Sequence, residues 1–225
     1  MKIIAVIPAR SGSKSVKDKN IHPYKKKPLI YYSIKTAIKS KLIDRVFVST
    51  DSEKYQKLSI KFGAEAPFLR PKNISKDNST DLEWAKHIIE FLKKSENYSP
   101  DLIAHIRPTS PNRNVKIVDK GIKFFLNNIN KANAMRSVSK MNQPPQKMFM
   151  LKKKYLVGYF ENSLKGEYYN LPRQVYPTSY MPNGYIDIIK PSYFMKRNSI
   201  MGKKIIGFIT PSILDIDTKE DFKIK

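Results

Sequence analysis

Apolar residues fall along this chain in unbroken runs of strand length, separated by stretches where they recur every three or four positions. "KIIAVI" (2–7), "RVFVST" (45–50), "LIAHI" (102–106), "YIDIIKP" (185–191) and "KIIGFIT" (204–210) are of the first kind. Such runs suit strands covered on both faces, as in a parallel sheet. "PLIYYSIKTAIKS" (28–40) opens with a proline and then keeps helical spacing, and "SEKYQKLSIKFG" (52–63) closes on Gly63. "DLEWAKHIIEFLKKS" (81–95), capped by Thr80 or Asp81, and "NVKIVDKGIKFFLNN" (114–128) complete the helical set, with a short helix expected near 192–197. The β-α-β-α order predicts a Rossmann-like, doubly wound, mostly parallel α/β sheet.

The pattern changes between about 134 and 182. "AMRSVSKM", "KMFML" and "KYLVGYF" read as short strands between turns, followed by the polar stretch "GEYYNLPRQVYPTSYMPNG". A single domain spanning 1–225 with a β-rich arm inserted at 134–182 is the expected organisation, the arm serving as a flap or an oligomerisation surface. The final stretch, "ILDIDTKEDFKI" (213–224), reads as a strand-like run leading into a helix cap.

Composition narrows the classes. There is no cysteine, which excludes disulfides and thiolate chemistry. The longest apolar runs fall well short of the roughly 20 residues of a membrane span, and the N-terminal run is too short for a signal peptide. A cytoplasmic protein without membrane partners is expected. The formal charge of +24 raises a nucleic-acid reading, but lysines are spread along the whole length and arginines are few. A solvated lysine-rich surface with attraction for small polyanions fits better than a nucleic-acid partner.

Ligands of open α/β sheets bind at the C-terminal ends of the strands. Four polar loops leave the sheet there: 8–20, Ser49-Thr50-Asp51, "RPTSPNR" (107–113) and Asp215-Ile216-Asp217. The first, "PARSGSKSVKDKN", is neither a Walker A motif nor "GxGxxG". Its one glycine and three serines still let backbone N–H groups approach a phosphate, while Arg10, Lys14, Lys17 and Lys19 supply charge. Asp215 and Asp217 at period two share a face, and two such carboxylates invite a cation with oxygen ligands such as Mg²⁺. The same "DTKED" also reads as a helix N-cap. His22, His87 and His105 show no ligand spacing and are expected to be structural, and Trp84 falls at core spacing.

"IPARSGSKSVKDKNI", "KPLIYYSIKTAIKSKLIDRVFVSTDS", "FGAEAPFLRP", "RPTSPNR", "LPRQVYPTSYMPNGYIDI" and "DIDTKEDF" occur in this order. Together, over nearly the whole chain, they resemble the acylneuraminate cytidylyltransferases, the CMP-sialic acid synthetase family. The resemblance implies a nucleotidyltransferase joining CTP to a nine-carbon keto-sugar acid with Mg²⁺, and a homodimer formed through the arm. It implies that Arg10, Ser13, Lys14, Lys19 and Asn20 hold the nucleotide and its phosphates. Arg70 and Asp77 would line the nucleotide pocket, Arg107, Arg173 and Asn183 the sugar side, and Asp215 with Asp217 the metal. Arg10, Lys14 and Asp217 would act in catalysis, and Arg173, brought toward the partner's site, has the planar fork that a carboxylate accepts.

The chain departs from the pattern at Ser15, where relatives often have Gly, at Arg107 for Gln, at Met181 for Arg, and in "NGYID" for "NGAIY". All but the first lie on the acceptor side. Cytidylyl transfer to a sialic-acid-like nonulosonic acid is therefore the expected function, with sialic acid itself less supported. A nucleotidyltransferase for another sugar or for GTP is the alternative, and a lysine-rich nucleic-acid-binding protein the alternative of another class.

Overall fold

The computed structural model describes residues 1–224. Six strands form the central sheet: β1 (Ile3–Pro8), β4 (Arg45–Ser49), β5 (Leu102–His105), β6 (Ala134–Lys140), β9 (Tyr180–Ile189) and β10 (Ile205–Ile209). Their order is β10-β6-β9-β5-β1-β4. β1 runs parallel to β4 and β5, and β10 parallel to β6, while β9 runs antiparallel between β5 and β6. Five helices, α1 (Leu29–Lys39), α2 (Glu53–Lys61), α3 (Asp81–Glu96), α4 (Val115–Leu126) and α5 (Pro191–Phe194), connect or flank the strands. A two-stranded ribbon of β2 (Pro23–Tyr24) and β3 (Lys27–Pro28) precedes α1.

Alternation along β1 shows why the strand is apolar throughout. Ile4 and Val6 pack under α3 with Trp84, Ile88 and Leu92, whereas Ala5 and Ile7 pack with Ile30 and Ile34 of α1. α4 covers the same side as α1 farther along the sheet, through Val118, Ile122 and Phe125 against Leu102, Ala104 and Ile188. Both faces are thus buried, and each strand carries apolar side chains to both. The expected mostly parallel α/β sheet is borne out, with β9 its antiparallel strand. The ends of α1 to α4 fall within two residues of those read from spacing, while α5 stops three residues short of the expected 197. α3 starts with a capping box between Thr80 and Glu83.

Two boundaries differ from the sequence reading. β6, placed there in the arm, belongs to the central sheet, so the segment outside the sheet is 141–179. Its hairpin, β7 (Phe149–Lys152) with β8 (Tyr155–Gly158), is the one expected. β9 begins at Tyr180 and carries "MPNG", which the sequence places at the end of the polar stretch rather than in a strand. The pairing register shifts between Arg136 and Val138 opposite this stretch, and Gly184 has φ +67°, so the proline and glycine mark a bulge rather than a turn. Among the described residues no helix is long and apolar enough to cross a membrane.

Candidate active site

A cleft of about 320 Å³ opens at the C-terminal ends of β1 and β5. Loop 8–20 contributes Pro8, Arg10, Ser13, Lys19 and Asn20 to its wall. The 70–81 segment adds Arg70 and Asp81, the 105–109 segment adds His105 and Arg107, and the last loop adds Asp215 and Asp217. Three of the four loops expected to converge do so. Asp51, from the fourth, is absent from the wall and braces the first loop instead: Ser11 donates to its carboxylate through N–H (2.8 Å) and through Oγ (2.9 Å).

Loop 8–20 is pinned at three places and arched between them. Besides Ser11, buried Asn20 donates its side-chain amide to the Arg10 carbonyl (3.0 Å), and the Tyr55 hydroxyl of α2 donates to Asp18 (3.1 Å). Asp18 holds φ at +55°, a left-handed turn that Asp tolerates. Arg10 and Lys14 both meet Asp77, at 2.7 and 2.5 Å. Lys14, then Arg10, holds the Asp77 carboxyl below its usual range. Asp77 and Lys14 stand outside the cleft wall. Asp77 therefore presents a carboxylate to the two cations that the sequence reading assigned to phosphate. Arg70 is nearly buried, anchored by its N–H on the Thr50 carbonyl (2.7 Å) and its Nε on Ser75 (3.0 Å); burial lowers its pKa.

Asp215 and Asp217 reach the cleft without the strand expected before them, since 211–217 is irregular. Ile216 supplies the alternation instead. It is fully buried with Tyr24 and Leu29, and its N–H donates to the Thr109 carbonyl (2.8 Å). With Ile216 facing inward, both flanking carboxylates are exposed toward the cleft. Lys19 Nζ donates to Asp217 (2.7 Å), and Ser110 Oγ donates to Asp215 (3.4 Å). Asp217 is not the helix cap that the sequence also allowed. Thr218 takes that part in a reciprocal pair with Asp221: Asp221 N–H donates to Thr218 Oγ1 (3.4 Å), and the Asp221 carboxylate accepts from the N–H groups of Thr218 (2.8 Å) and Asp217 (3.0 Å).

Arg113 knits the far wall. It is buried, donating from Nε to the Tyr185 carbonyl (2.7 Å) and from Nη2 to the Gly184 carbonyl (2.7 Å). Its Nη1 donates to Ser33 (2.9 Å) and to the Ser110 carbonyl (2.6 Å). Burial pushes its pKa down to about 9, so it is cationic at neutral pH. Beside it, Arg107 lies 3.9 Å from Asp187, which also meets Arg136 (3.4 Å) and His105 (4.0 Å).

Two expected acceptor-side residues stand elsewhere. Asn183 is absent from the wall; its amide donates to Thr210 Oγ1 (2.6 Å) and fastens the start of the 211–217 run to β9. Arg173 lies in the arm, donating to the Asn142 carbonyl (3.1 Å) at a separate hollow. Trp84 is in the core, as expected, and His105 is buried beside it; both also touch the cleft wall, while His22 and His87 stack on Phe222 and Phe68. Asp187 and Arg136 went unremarked in the sequence. The departure "NGYID" was the available signal for Asp187; Arg136 had none.

The sequence model of the cytidylyltransferase family matches residues 4–221. An N-acylneuraminate cytidylyltransferase of Escherichia coli O18:K1:H7 is 32% identical over 99% of this chain, which spans 51% of that relative's length. A pseudaminic acid cytidylyltransferase of Campylobacter jejuni serotype O:23/36 is 30% identical over 99% of this chain and 94% of its own. Among solved structures, a CMP:2-keto-3-deoxy-manno-octonic acid synthetase complexed with CTP superposes with TM-score 0.70 at 16% identity, over 98% of this chain and 95% of that one. A cytidylyltransferase of Leptospira borgpetersenii gives 0.64 at 19% identity, over 99% of this chain and 84% of its own.

Proposed function

The chain belongs to the cytidylyltransferase family, and on that premise we propose that it transfers CMP from CTP to a nonulosonic acid, releasing pyrophosphate. The observation that carries this reading is one cleft with two chemistries. Arg10, Ser13, Lys19 and Arg70 share its wall with Arg107 and with the Asp215/Asp217 pair, Lys19 meeting Asp217 and Ser110 meeting Asp215. Relatives that name sialic and pseudaminic acids as acceptors support the acceptor class.

In this reading the anomeric hydroxyl of the sugar acid attacks the α-phosphorus of CTP in line. A new P–O bond forms, the bond to the β-phosphate oxygen breaks, and pyrophosphate departs with the electron pair. Arg10, Lys14 and Lys19 neutralise charge developing on the departing oxygens, and Asp217 takes the hydroxyl proton. Asp215 and Asp217 offer an oxygen-only donor pair exposed to the cleft, which fits Mg²⁺. When bound, the ion would supply further neutralisation of the triphosphate. CTP as donor makes the cytoplasm the compartment of this reading.

The arm is read as a dimer contact. Phe149, Leu151, Tyr155, Leu156 and Tyr159 are exposed on and beside its hairpin, an apolar surface that a second copy would cover. Such pairing would carry Arg173 toward a partner's cleft. Light scattering at micromolar concentration checks this, a monomer counting against it. The activity is tested by a pyrophosphate-release screen of each nucleoside triphosphate against nonulosonic acids and sugar phosphates. Release only with CTP and a nonulosonic acid is expected. Release with GTP or with a sugar phosphate alone overturns the substrate assignment.

A further inference from the structure

The pairing register of the sheet sets three polar side chains in one row. Asp187 of β9 is opposite His105 of β5 on one side and Arg136 of β6 on the other. Paired residues in neighbouring strands project to the same face. Two positions back along the same strands, Ile103, Ala134 and Ile189 lie in the apolar layer under α3. The row therefore replaces what would be the next apolar layer, at the end of the sheet where the cleft opens.

Its burial is nearly complete. Asp187 is 3% exposed and His105 4% exposed. Oδ2 of Asp187 faces Arg136 Nη2 at 3.4 Å, Arg107 Nη2 at 3.9 Å and His105 Nδ1 at 4.0 Å. Asp187 Oδ1, His105 Nε2, Arg107 Nε and Arg136 Nε are buried without partners. Asp81, hydrogen-bonded by Trp84 Nε1 (2.8 Å), is the other carboxylate of this neighbourhood. A buried ion cluster rarely stabilises a fold better than a packed apolar row, and unpaired buried polar atoms are costly. Such exceptions call for an explanation in function.

Arg107 supplies it. Unlike Asp187, its side chain is 39% exposed and lines the cleft. Gly184 leaves room for its stem: a Cβ there would come within 3.1 Å of Arg107 Cδ. The geometry points to Asp187 as a positioning residue that holds the Arg107 guanidinium ready for the carboxylate of the sugar acid, with Arg136 balancing Asp187 from the opposite strand. At 3.9 Å the Asp187 carboxylate attracts the guanidinium without hydrogen-bonding it, and Arg107 Nε stays unpartnered, so the planar fork remains open to a second carboxylate. The inference rests on the acceptor being a sugar acid, and it makes Asp187 a determinant of acceptor specificity rather than of CTP binding.

The test uses the full-length chain as wild type, Asp187→Asn, Arg107→Gln and the double variant. In steady-state assays with CTP and pseudaminic or N-acetylneuraminic acid, each single variant should raise acceptor KM at least tenfold with CTP KM within twofold. The double variant should be no worse than Arg107→Gln alone, because Asp187 acts through Arg107. Additive losses, an unchanged acceptor KM, or equal rises in both KM values overturn the proposal. Asp187→Asn removes a buried charge partner and can fail to fold; Arg107→Gln, half exposed, then decides through the same KM split. Calorimetric titration of the free acid and its methyl ester in the presence of CMP separates this inference from the activity on which it rests. The wild type should prefer acid over ester at least tenfold, and both single variants should lose that preference. A retained wild-type preference without pyrophosphate release would sink the activity and leave the subsite standing. Turnover with acid and ester bound alike would sink the subsite alone.

Discussion

The two sides of the cleft hold their charges in opposite ways. On the loop side, Arg10, Lys14 and Asp77 sit on irregular chain, and the side chains of Lys14 and Asp77 are 83% and 42% exposed. On the strand side, Asp187, His105 and Arg136 are fixed by sheet register, and the first two are almost wholly buried. Exposed ion pairs are worth little and exchange readily with a ligand, while a buried pair broken on one side is costly. The loop side can thus release its cations to an arriving polyphosphate, and the strand side can hold one orientation for discrimination. In the proposed reaction, loosely held charge suits the polyphosphate donor and rigidly held charge the acceptor.

The carboxylate pair belongs to neither side, and its loss should be the most damaging. Asp215→Asn and Asp217→Asn keep shape and remove a charge, and each should abolish metal-dependent turnover with the melting temperature unchanged. Magnesium titration of the wild type and both variants checks this. Full activity in both would remove the pair from the chemistry.

Next in size is the loop side itself. Arg10→Ala should slow turnover about a hundredfold, equivalent to about 3 kcal/mol of transition-state stabilisation. Lys14→Ala, farther from the cleft wall, should cost about tenfold. Neither should shift thermal stability appreciably. Single-turnover rates at saturating CTP measure both, and near-normal rates in both would make the loop a bystander.

How far these features could be read without coordinates follows the same division. Apolar runs and helical spacing report burial directly, so β1, β4, β5, β10 and the four longer helices were legible to within a residue or two, while the exposed first half of β9 was not. The "DID" alternation was legible because Ile216 needs a core whatever precedes it. What escaped depends on pairing between distant strands. Nothing local to Arg136, His105 or Asp187 says that they are neighbours; only the β6-β9-β5 register does. For the same reason β6 was read into the arm, since a seven-residue strand looks alike whether it pairs in a hairpin or in the sheet. Asp77 was assigned to the nucleotide by motif, but that it grips Arg10 and Lys14 is a matter of loop packing that spacing does not encode.

Asp77 gives a smaller and opposite effect to those of the cations it holds. If it competes with triphosphate for Arg10 and Lys14, then Asp77→Asn frees both and should lower CTP KM two- to fivefold with kcat unchanged. A rise in CTP KM would instead make Asp77 a direct nucleotide contact.

The smallest expected effect sharpens the contrast through pH. Burial pushes the pKa of His105 and of His87 below the ordinary 6.5. For His105, Asp81 and Asp187 oppose that push without reversing it. Both rings therefore take up protons less readily in the fold than in the unfolded chain, which binds them below about 6.5. The unfolded state then binds more protons than the folded one, so stability falls as pH drops through that value. The carboxylates held low, Asp77, Asp81 and Asp221, act in another window: their contribution is intact above 3.8 and fades only as pH falls below it. Between pH 7 and pH 5 the histidines alone among these groups should register. The melting temperature should drop over that interval, and His105→Gln should show a smaller drop than the wild type when each protein is compared with itself. Equal melting temperatures at pH 7 and pH 5 in the wild type would mean that the strand side is not the dry, fixed half of the cleft described above.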